Sequence, residues 1–298
     1  MSKADWSTNF IAVDWGTTNR RAYLLGADGA IIAQHEDDLG VTSVRQGGFP
    51  DAVEAIRTRL GDRPMLLAGM VGSNRGWHEA PYLACPSGVC DLAKQLMWVE
   101  PNRVVIVPGL SFVDRQHADV MRGEEVQLFG LAKLDHAFST STICHPGTHT
   151  KWARLEAGCV THFHTAMTGE IFALLRKHSV LAPVLREPVT TGGAFQSGVE
   201  RTFGGAQLTA ELFSLRARIL LSLMDESDGA SFASGLVIGS DVRAAAGFAP
   251  DDEAIVLGRP ELTRLYAAAM RHCGLAAREI DGAEAFVAGA QAIREIIA

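Results

Sequence analysis

The stretch FIAVDWGTTNRRAYLL, residues Phe10–Leu25, decides the fold that the sequence predicts. Its first four residues predict a buried strand, which Asp14 ends. The turn Gly16-Thr17-Thr18 follows, and a second strand runs from Arg21 to Leu25. The residues between the strands are too few for a helix. The stretch therefore predicts two consecutive strands joined by a tight turn.

The chemistry of this turn suits a polyphosphate and its metal ion. Gly16 lets the backbone approach a ligand closely, and Thr17 and Thr18 offer hydroxyl and amide donors. Asp14 is a hard oxygen ligand for magnesium, either directly or through water. The chain has no G-x-x-x-x-G-K-[ST] phosphate loop. By itself the five-residue pattern D-x-G-T-T, residues 14–18, is explained equally well as an ordinary hairpin turn.

The bulk composition is that of a soluble globular protein. Of the 298 residues, 47% are hydrophobic and 20% charged. The net charge of −7 and the lack of a basic block argue against a nucleic-acid partner. No apolar run approaches about 18 residues, so no membrane partner is expected. The N-terminus has no secretory signal pattern, and five scattered cysteines indicate free thiols in the cytoplasm.

A candidate substrate loop follows the run Met65–Met70, which predicts a strand buried on both faces. The loop, Val71–Pro86, reads VGSNRGWHEAPYLACP. Because ligands of α/β sheets bind beyond the carboxyl ends of strands, Asn74, Arg75 and Trp77 are substrate candidates. Arg75 suits a carboxylate, and Trp77 suits the apolar face of a polyol. A surface loop anchored by a buried tryptophan is the alternative.

Two glutamates begin a predicted helix in DVMRGEEVQLFG, residues Asp119–Gly130. Helical spacing of apolar residues starts at Glu124. Acids in a first turn stabilise the helix dipole, which explains Glu124 and Glu125 without any function. A carboxylate at a helix start that faces a cleft is also suited to act as a general base.

The pattern of the opening stretch returns in TSTICHPGTHT, residues Thr140–Thr150. A strand leads into a turn that contains Gly147 and Thr148, which predicts a second phosphate loop with His149 inside it. Two strands, Lys151–Leu155 and Cys159–Thr165, come next. In the first half, Gly29–Ala33 predicts a third strand after the opening hairpin. A three-strand start thus occurs twice, about 130 residues apart, and predicts a duplicated fold.

The last third of the chain predicts one further nucleotide contact. Residues Ser234–Val242, SGLVIGSDV, predict a strand, a close approach at Gly239 and the start of a helix. A plain strand-to-helix connection explains this pattern equally well. A strand at Ala254–Leu257 and helices at Glu261–Cys273 and Glu284–Ile297 follow. Small residues in the last helix predict close packing at a lobe interface.

Six segments, in this order, resemble the 2-dehydro-3-deoxygalactonokinase family: DWGTTNRRA, GMVGSNRGWHEAPYLACP, DVMRGEEVQLFG, CHPGTHTKW, MTGEIFALL and GLVIGSD. The resemblance implies an α/β fold of two RNase H-like, actin-like ATPase lobes around a central nucleotide cleft. The lobes would span residues 1–136 and 137–298. The family implies ATP and Mg²⁺, and phosphorylation of the terminal (C6) hydroxyl of 2-dehydro-3-deoxy-D-galactonate in the De Ley–Doudoroff route of galactose catabolism.

The resemblance also implies roles for particular residues. Asp14 would hold magnesium through water, and Thr17 and Thr18 would meet the γ- and β-phosphates beside Gly16. Gly147, Thr148 and Lys151 would form the second phosphate contact, and Gly239 would lie near the adenosine. The sugar acid would be held by the remaining candidates: Arg21, Asn74, Arg75, Trp77 and His149.

The general base is left open among three acids. Residues 123–130 resemble the G-D-Q-Q-A-A-L-F-G segment of glycerol- and xylulose-type kinases, in which the aspartate is the base. Here the acid is Glu124, and one residue is missing before L-F-G. Glu124 is the first candidate, and Glu125 and Asp119 are its rivals.

Other functions stay open at this point. They are a kinase of the gluconate epimer, an anhydromuramic acid type of kinase, an acetate or butyrate kinase-like enzyme, and a non-catalytic sugar sensor. The absence of a DNA-binding segment before Phe10 argues against a regulator. The acceptor epimer and a homodimer are likewise open.

Overall fold

The computed structural model describes residues 5–245 and 253–298, which divide into two compact units. The first unit contains the chain up to Thr140, together with Leu155–His162 and Gly282–Ala298. The second contains Ser141–Arg154 and Phe163–Asp281. The first division lies close to the predicted boundary after residue 136. The C-terminal helix was predicted in the second lobe but belongs to the first unit.

The elements up to the division, in chain order, are β1 (Phe10–Trp15), β2 (Arg20–Leu25), β3 (Ile31–Asp37), α1 (Phe49–Leu60), β4 (Met65–Gly69), β5 (Tyr82–Ala84), β6 (Ser87–Gly88), α2 (Val89–Lys94), β7 (Met97–Glu100), β8 (Val104–Ile106), β9 (Gly109–Val113), β10 (Ala118–Met121) and α3 (Glu124–Leu134).

The elements after it are β11 (Ser141–His145), β12 (Thr150–Glu156), β13 (Cys159–Ala166), α4 (Thr168–His178), α5 (Gly193–Phe203), α6 (Leu208–Leu220), α7 (Gly229–Ala245), β14 (Glu253–Gly258), α8 (Pro260–His272), β15 (Ala276–Asp281) and α9 (Gly282–Ile297). No helix in the two described ranges is long and apolar enough to cross a lipid bilayer.

The two large sheets repeat one topology. The first has the order β3-β2-β1-β4-β8, with β7 added at its edge. The second has the order β13-β12-β11-β14-β15, with the short β6 beside the start of β13. In each sheet the first strand pairs in parallel with the fourth: β1 with β4, and β11 with β14. The predicted duplication is therefore confirmed at the level of strand order.

Apolar side chains on both faces of the central strands build the core of the first unit. β1 and β4 are almost wholly buried, and side chains such as Val13, Trp15 and Leu67 pack against Ile56 of α1. Fully burying one such side chain stabilises the fold by about 1.5–3 kcal/mol. Because β1 and β4 are buried on both faces, packing fixes the positions of their ends. The predicted site residues lie at those ends.

Glycines let α3 and α9 pack with their backbones in contact. A β-carbon at Gly130 would lie 1.8 Å from the carbonyl oxygen of Ala285, and one at Gly289 would lie 1.8 Å from that of Val126. The small residues of α9 therefore pack inside the first unit. The prediction that they form a lobe interface is replaced by this contact with α3.

The predicted strand at Ser234–Val242 is wrong. These residues lie inside α7, a helix that is buried along most of its length and packs on α5. A β-carbon at Gly239 would lie 2.6 Å from the carbonyl oxygen of Val199, so this glycine allows two helices to approach closely. An apolar run without polar residues does not distinguish a buried helix from a buried strand. The adenosine contact predicted for Gly239 loses its basis.

Substituting Gly289→Ala tests the contact between α3 and α9. The added methyl group has no space, so we expect the free energy of unfolding in urea to fall by about 1–3 kcal/mol or more. Gly193→Ala is the matched control, because a β-carbon there meets no atom within 4 Å. It should change stability by less than about 1 kcal/mol. Equal losses in the two variants would contradict the packing argument.

Candidate active site

The turn between β1 and β2 is held through its carbonyl groups. Gly16 N–H donates to the carbonyl of Asn19 at 2.9 Å and closes the turn. The carbonyls of Gly16, Thr17 and Thr18 accept backbone hydrogen bonds from residues 40–42 at 3.0–3.1 Å. Within the described chain, the amides of Thr17 and Thr18 donate to no residue, and both side chains are exposed. The turn therefore offers two amide donors to a ligand.

Gly40 makes this arrangement possible, although no sequence motif pointed to it. A β-carbon at Gly40 would lie 2.3 Å from the carbonyl carbon of Thr18. The segment that begins at Gly40 thus lies directly against the turn. Its distance along the chain, beyond the third strand, is why local pattern alone did not find it.

Asp14 lies half-buried at the end of β1, opposite Arg21 in the β1–β2 register. Burial alone would lower the pKa of Arg21, but the nearby carboxylates of Asp14 and Glu36 and the Tyr23 hydroxyl raise it on balance. Arg21 also lies 3.6 Å from the Glu36 carboxylate. Arg21 was predicted to hold the sugar acid, and the structure engages it with acids of its own sheet.

Three backbone segments meet at the carboxyl end of β4. A β-carbon at Gly69 would lie 2.7 Å from the carbonyl oxygen of Trp15, and one at Gly123 would lie 3.0 Å from the α-carbon of Gly69. Both glycines have positive φ, +93° and +106°. The first turn of α3 therefore lies against the ends of β1 and β4. The contact brings the predicted general base to the same sheet edge as the phosphate turn.

The three candidate bases have different environments. The Glu124 side chain is half-buried, and its Oε2 accepts from the backbone N–H of Arg122 at 3.0 Å. Glu125 is fully buried, and its Oε2 accepts from the Gly123 N–H at 2.6 Å. Asp119, on β10, accepts from the Val120 N–H at 2.7 Å and lies 3.4 Å from His117. Glu124 is the candidate within reach of a ligand at the start of α3.

Burial makes the carboxyl group of Glu125 an unusually weak acid. Desolvation, and secondarily the charge of Glu124, raise the pKa of Glu125 to about 8. Its Oε1 atom is buried without a hydrogen-bond partner in the described chain. At pH 7 this side chain is therefore neutral, and it does not serve as a base.

The predicted substrate loop exposes two of its three candidates. Asn74 and Arg75 are exposed, and the Arg75 backbone N–H donates to the Ser73 hydroxyl at 3.2 Å. Trp77 instead packs on the core of the first unit and stacks on Phe49, with ring centroids 6.4 Å apart. The stacked contact is that of a tryptophan anchor, which was the alternative reading of Trp77.

In the second unit, the turn between β11 and β12 packs on the start of α4. A β-carbon at Gly169 would lie 2.3 Å from the carbonyl oxygen of Gly147. The Glu170 N–H donates to the carbonyl of Thr148 at 2.9 Å. The Glu170 carboxylate lies 2.6 Å from the ring nitrogen of His149. The predicted second phosphate loop is thus supported by a helix N-terminus.

Lys151 lies outside that loop, on β12. Its side chain is buried, and its ammonium group donates to the Thr165 hydroxyl of β13 at 2.7 Å. This hydrogen bond accounts for the lysine without a phosphate. The predicted contact between Lys151 and the nucleotide gains no support from its geometry.

A buried carboxylate that sequence reasoning missed supports the same loop. Asp241 of α7 accepts hydrogen bonds from Trp152 Nε1 at 2.9 Å, Thr168 Oγ1 at 2.7 Å and the Tyr266 hydroxyl at 2.6 Å. The Tyr266 hydroxyl also lies 2.8 Å from that of Thr150. Thr168 is the first residue of α4, and its hydroxyl binds Asp241 rather than capping the helix. The network therefore fixes the start of β12, which follows the loop, and the start of α4, which packs on it.

A magnesium ion bound through phosphates and water fits the residues of the first turn. In the described chain no three His, Cys, Asp or Glu side chains are grouped as a metal site. Magnesium typically keeps several waters and takes one or two carboxylates plus phosphate oxygens. The single carboxylate of Asp14, beside two amide donors, is consistent with that donor set.

The repeated topology and the paired turns define a class of protein. The structure matches an activator of 2-hydroxyisocaproyl-CoA dehydratase from Clostridium difficile, solved with bound ADPNP, at a TM-score of 0.52 and 12% identity. The match covers 97% of this chain and 96% of the other. The chain is an α/β protein with the actin-like ATPase fold, which confirms the predicted fold class.

Closer relatives give the family. The sequence profile of the 2-keto-3-deoxy-galactonokinase family matches residues 14–293. The chain is 35% identical to 2-dehydro-3-deoxygalactonokinase of Escherichia coli K12, over 98% of this chain and 99% of the relative. A crystal structure of a Sinorhizobium meliloti protein assigned to the same activity matches with a TM-score of 0.90 and 35% identity, over 97% of this chain and 99% of that one. The chain belongs to the 2-keto-3-deoxy-galactonokinase family.

The raised pKa of Glu125 predicts that the stability of the fold decreases as the pH rises. The folded protein keeps a proton on Glu125 that the unfolded chain releases above about pH 4.5. The free energy of unfolding should therefore fall as the pH rises from about 4.5 to 8, by about 2 kcal/mol between pH 6 and 8. Glu125→Gln mimics the protonated acid, so urea unfolding of this variant should vary less with pH.

Glu54→Gln is the control for this measurement, because Glu54 is exposed on α1. It should keep the pH dependence of the parent protein. If the parent and Glu125→Gln lose stability equally between pH 6 and 8, Glu125 does not hold a proton in the folded state.

Proposed function

We propose that this protein transfers the γ-phosphoryl group of ATP to the C6 hydroxyl of 2-dehydro-3-deoxy-D-galactonate. The products are ADP and 2-dehydro-3-deoxy-6-phosphogalactonate. Membership in the family supports the reaction and its substrates. The single structural observation behind the proposal is the backbone contact through Gly69 and Gly123, because it brings a phosphate-type turn and a carboxylate helix to one sheet edge.

Phosphoryl transfer requires positioning and charge neutralisation rather than covalent participation of the protein. Magnesium, when bound to ATP at Asp14, would neutralise charge on the phosphates. The amides of Thr17 and Thr18 would donate to phosphate oxygens, and Gly147 and Thr148 would do the same from the second turn. Each of these turns is already held in place by neighbouring residues, so ATP would bind without having to order them first.

Glu124 is proposed as the general base. Its carboxylate accepts the proton of the C6 hydroxyl as that oxygen bonds to the γ-phosphorus and the bond to the β,γ-bridging oxygen breaks. Its own hydrogen bond to the Arg122 N–H fixes one oxygen and leaves the other for substrate. Asn74 and Arg75 are proposed to contact the sugar acid, since both are exposed beyond the end of β4.

We further propose that the protein acts in the cytoplasm, where its five cysteines stay reduced. All five are free thiols in the structure, and reduced thiols are usual in that compartment. Assembly into a homodimer stays a prediction, which light scattering of the purified protein would test.

Release of ADP from magnesium-ATP tests the reaction. The purified protein should turn over 2-dehydro-3-deoxy-galactonate with a clear preference over its gluconate epimer. The two acids differ at one hydroxyl, and a site that hydrogen-bonds that hydroxyl discriminates strongly. Equal turnover of the two acids would support kinase activity but would contradict the proposed preference for the galactonate epimer. A preference for a neutral sugar or a muramic acid derivative would overturn the proposed substrate.

Glu124→Gln tests the base. Because the amide cannot take the proton, we expect kcat to fall about 10²–10⁴-fold while the KM for ATP changes little. Glu54→Gln supplies the matched control and should keep parental activity. Activity of Glu124→Gln within a few-fold of the parent would show that another group takes the proton.

A further inference from the structure

Arg122 carries a buried positive charge that forms no ion pair with any residue the structure describes. The residue is 8% exposed and lies between the end of β10 and the start of α3. Its Nη2 donates to the carbonyl of Ala80 at 2.7 Å, and its guanidinium lies over the Tyr82 ring at 4.2 Å. Nε and Nη1 are buried and have no hydrogen-bond partner among the described residues.

Within the described ranges, no carboxylate lies within ion-pair distance of the Arg122 guanidinium. Glu125 is close enough to interact electrostatically, but burial raises the pKa of its carboxyl group to about 8, so it is neutral at pH 7. A buried cation is normally retained with a counter-charge, because its desolvation is costly. The missing negative charge therefore points to an anionic ligand.

The position of the guanidinium indicates which ligand. A β-carbon at Gly72 would lie 2.9 Å from Arg122 Nη1, so the cation lies directly against the start of the loop that carries Asn74 and Arg75. The backbone N–H of the same Arg122 holds the Glu124 carboxylate. Arg122 thus joins the proposed substrate loop to the proposed base.

We propose that Arg122 is the residue that selects a carboxylate-bearing acceptor, by pairing with the carboxylate of the sugar acid. This inference rests on the proposed function and names the group that makes the site one for sugar acids. A cation in a low-dielectric site discriminates between charged and neutral ligands far more than an exposed one. Arg75, which is exposed, should contribute much less to that discrimination.

The Nε and Nη1 atoms are buried, and Gly72 lies directly against Nη1, so binding requires the start of the loop to shift. The loop residues Asn74, Arg75, His78 and Glu79 are exposed. Trp77 and the hydrogen bonds between the loop and its base are expected to hold the rest in place. The carboxylate would replace the cover over the guanidinium and supply the acceptors that its two nitrogens lack.

The test compares two acceptors, the sugar acid and its neutral amide, in the coupled ADP assay. In the parent, kcat/KM should favour the acid by about 100-fold or more. In Arg122→Met this preference should fall below about tenfold, while the KM for ATP stays within about threefold. Arg122→Lys keeps the charge but not the planar fork, and it should retain an intermediate preference.

Arg63→Ala is the matched control, because it removes an exposed guanidinium that precedes β4, at the other end of that strand from the loop, and it should keep the parental preference. Arg75→Ala tests the rival partner for the carboxylate within the proposed substrate loop. A merely structural role for Arg122 would lower turnover of both acceptors equally and leave the preference unchanged. That result, or loss of the preference in Arg75→Ala alone, would overturn the inference.

Failure of the proposed function is seen separately. If the parent protein does not phosphorylate the sugar acid at all, the proposed function is overturned and this inference falls with it. If the parent phosphorylates the acid and Arg122→Met keeps the parental preference, only the inference is overturned. Circular dichroism and the KM for ATP establish that each variant is folded. If Arg122→Met does not fold, Arg122→Lys decides, and a fully parental preference in it would count against the pairing.

Discussion

The candidate site depends on one steric constraint, the backbone contact of Trp15, Gly69 and Gly123 in the first unit. Each approach leaves no space for a side chain, and both glycines adopt a conformation that other residues rarely take. The contact fixes the first turn of α3 against two parallel strands whose burial makes them rigid. Backbone packing, rather than the conformation of flexible side chains, therefore sets the position of the Glu124 and Glu125 carboxylates.

That position also assigns different chemistry to two adjacent acids. Glu124 and Glu125 both begin α3 and both accept backbone hydrogen bonds. Glu125 points into the protein, where desolvation keeps its proton, while Glu124 stays accessible. Arg122 lies beside them with its charge buried. Local burial, rather than residue type, thus separates a structural acid from a candidate base.

In the second unit, hydrogen bonds hold the predicted phosphate turn in place. There the turn after β11 is held by hydrogen bonds to the start of α4 and by the Asp241 network behind it. All three donors to Asp241 are neutral groups, and a buried carboxylate with several donors holds its neighbours firmly in place. In both units the turn itself is short, and its shape is imposed by residues that lie far from it in sequence.

The strand pattern, the duplication and the family resemblance could all be recognised from the amino-acid sequence. Alternation, apolar runs and turn residues are local properties, so the opening hairpin, the buried strand after Met65 and the glutamates at the start of α3 could all be predicted. The strand predicted within Ser234–Val242 failed because its short apolar run, Gly235–Gly239, fits a buried helix equally well. The assignment of α9 to the second lobe failed because chain order does not specify packing partners.

Which of the predicted residues remain available to a ligand depends on how the chain packs in three dimensions. Lys151, Arg21 and Trp77 were good candidates by residue type, but each has a partner in its own unit. Gly40 lies outside every predicted motif, and Asp241 and Arg122 lie inside two motifs without standing out there, because the roles of all three depend on contacts across long stretches of chain. Burial and uncompensated charge arise from three-dimensional packing, and no local sequence pattern encodes them.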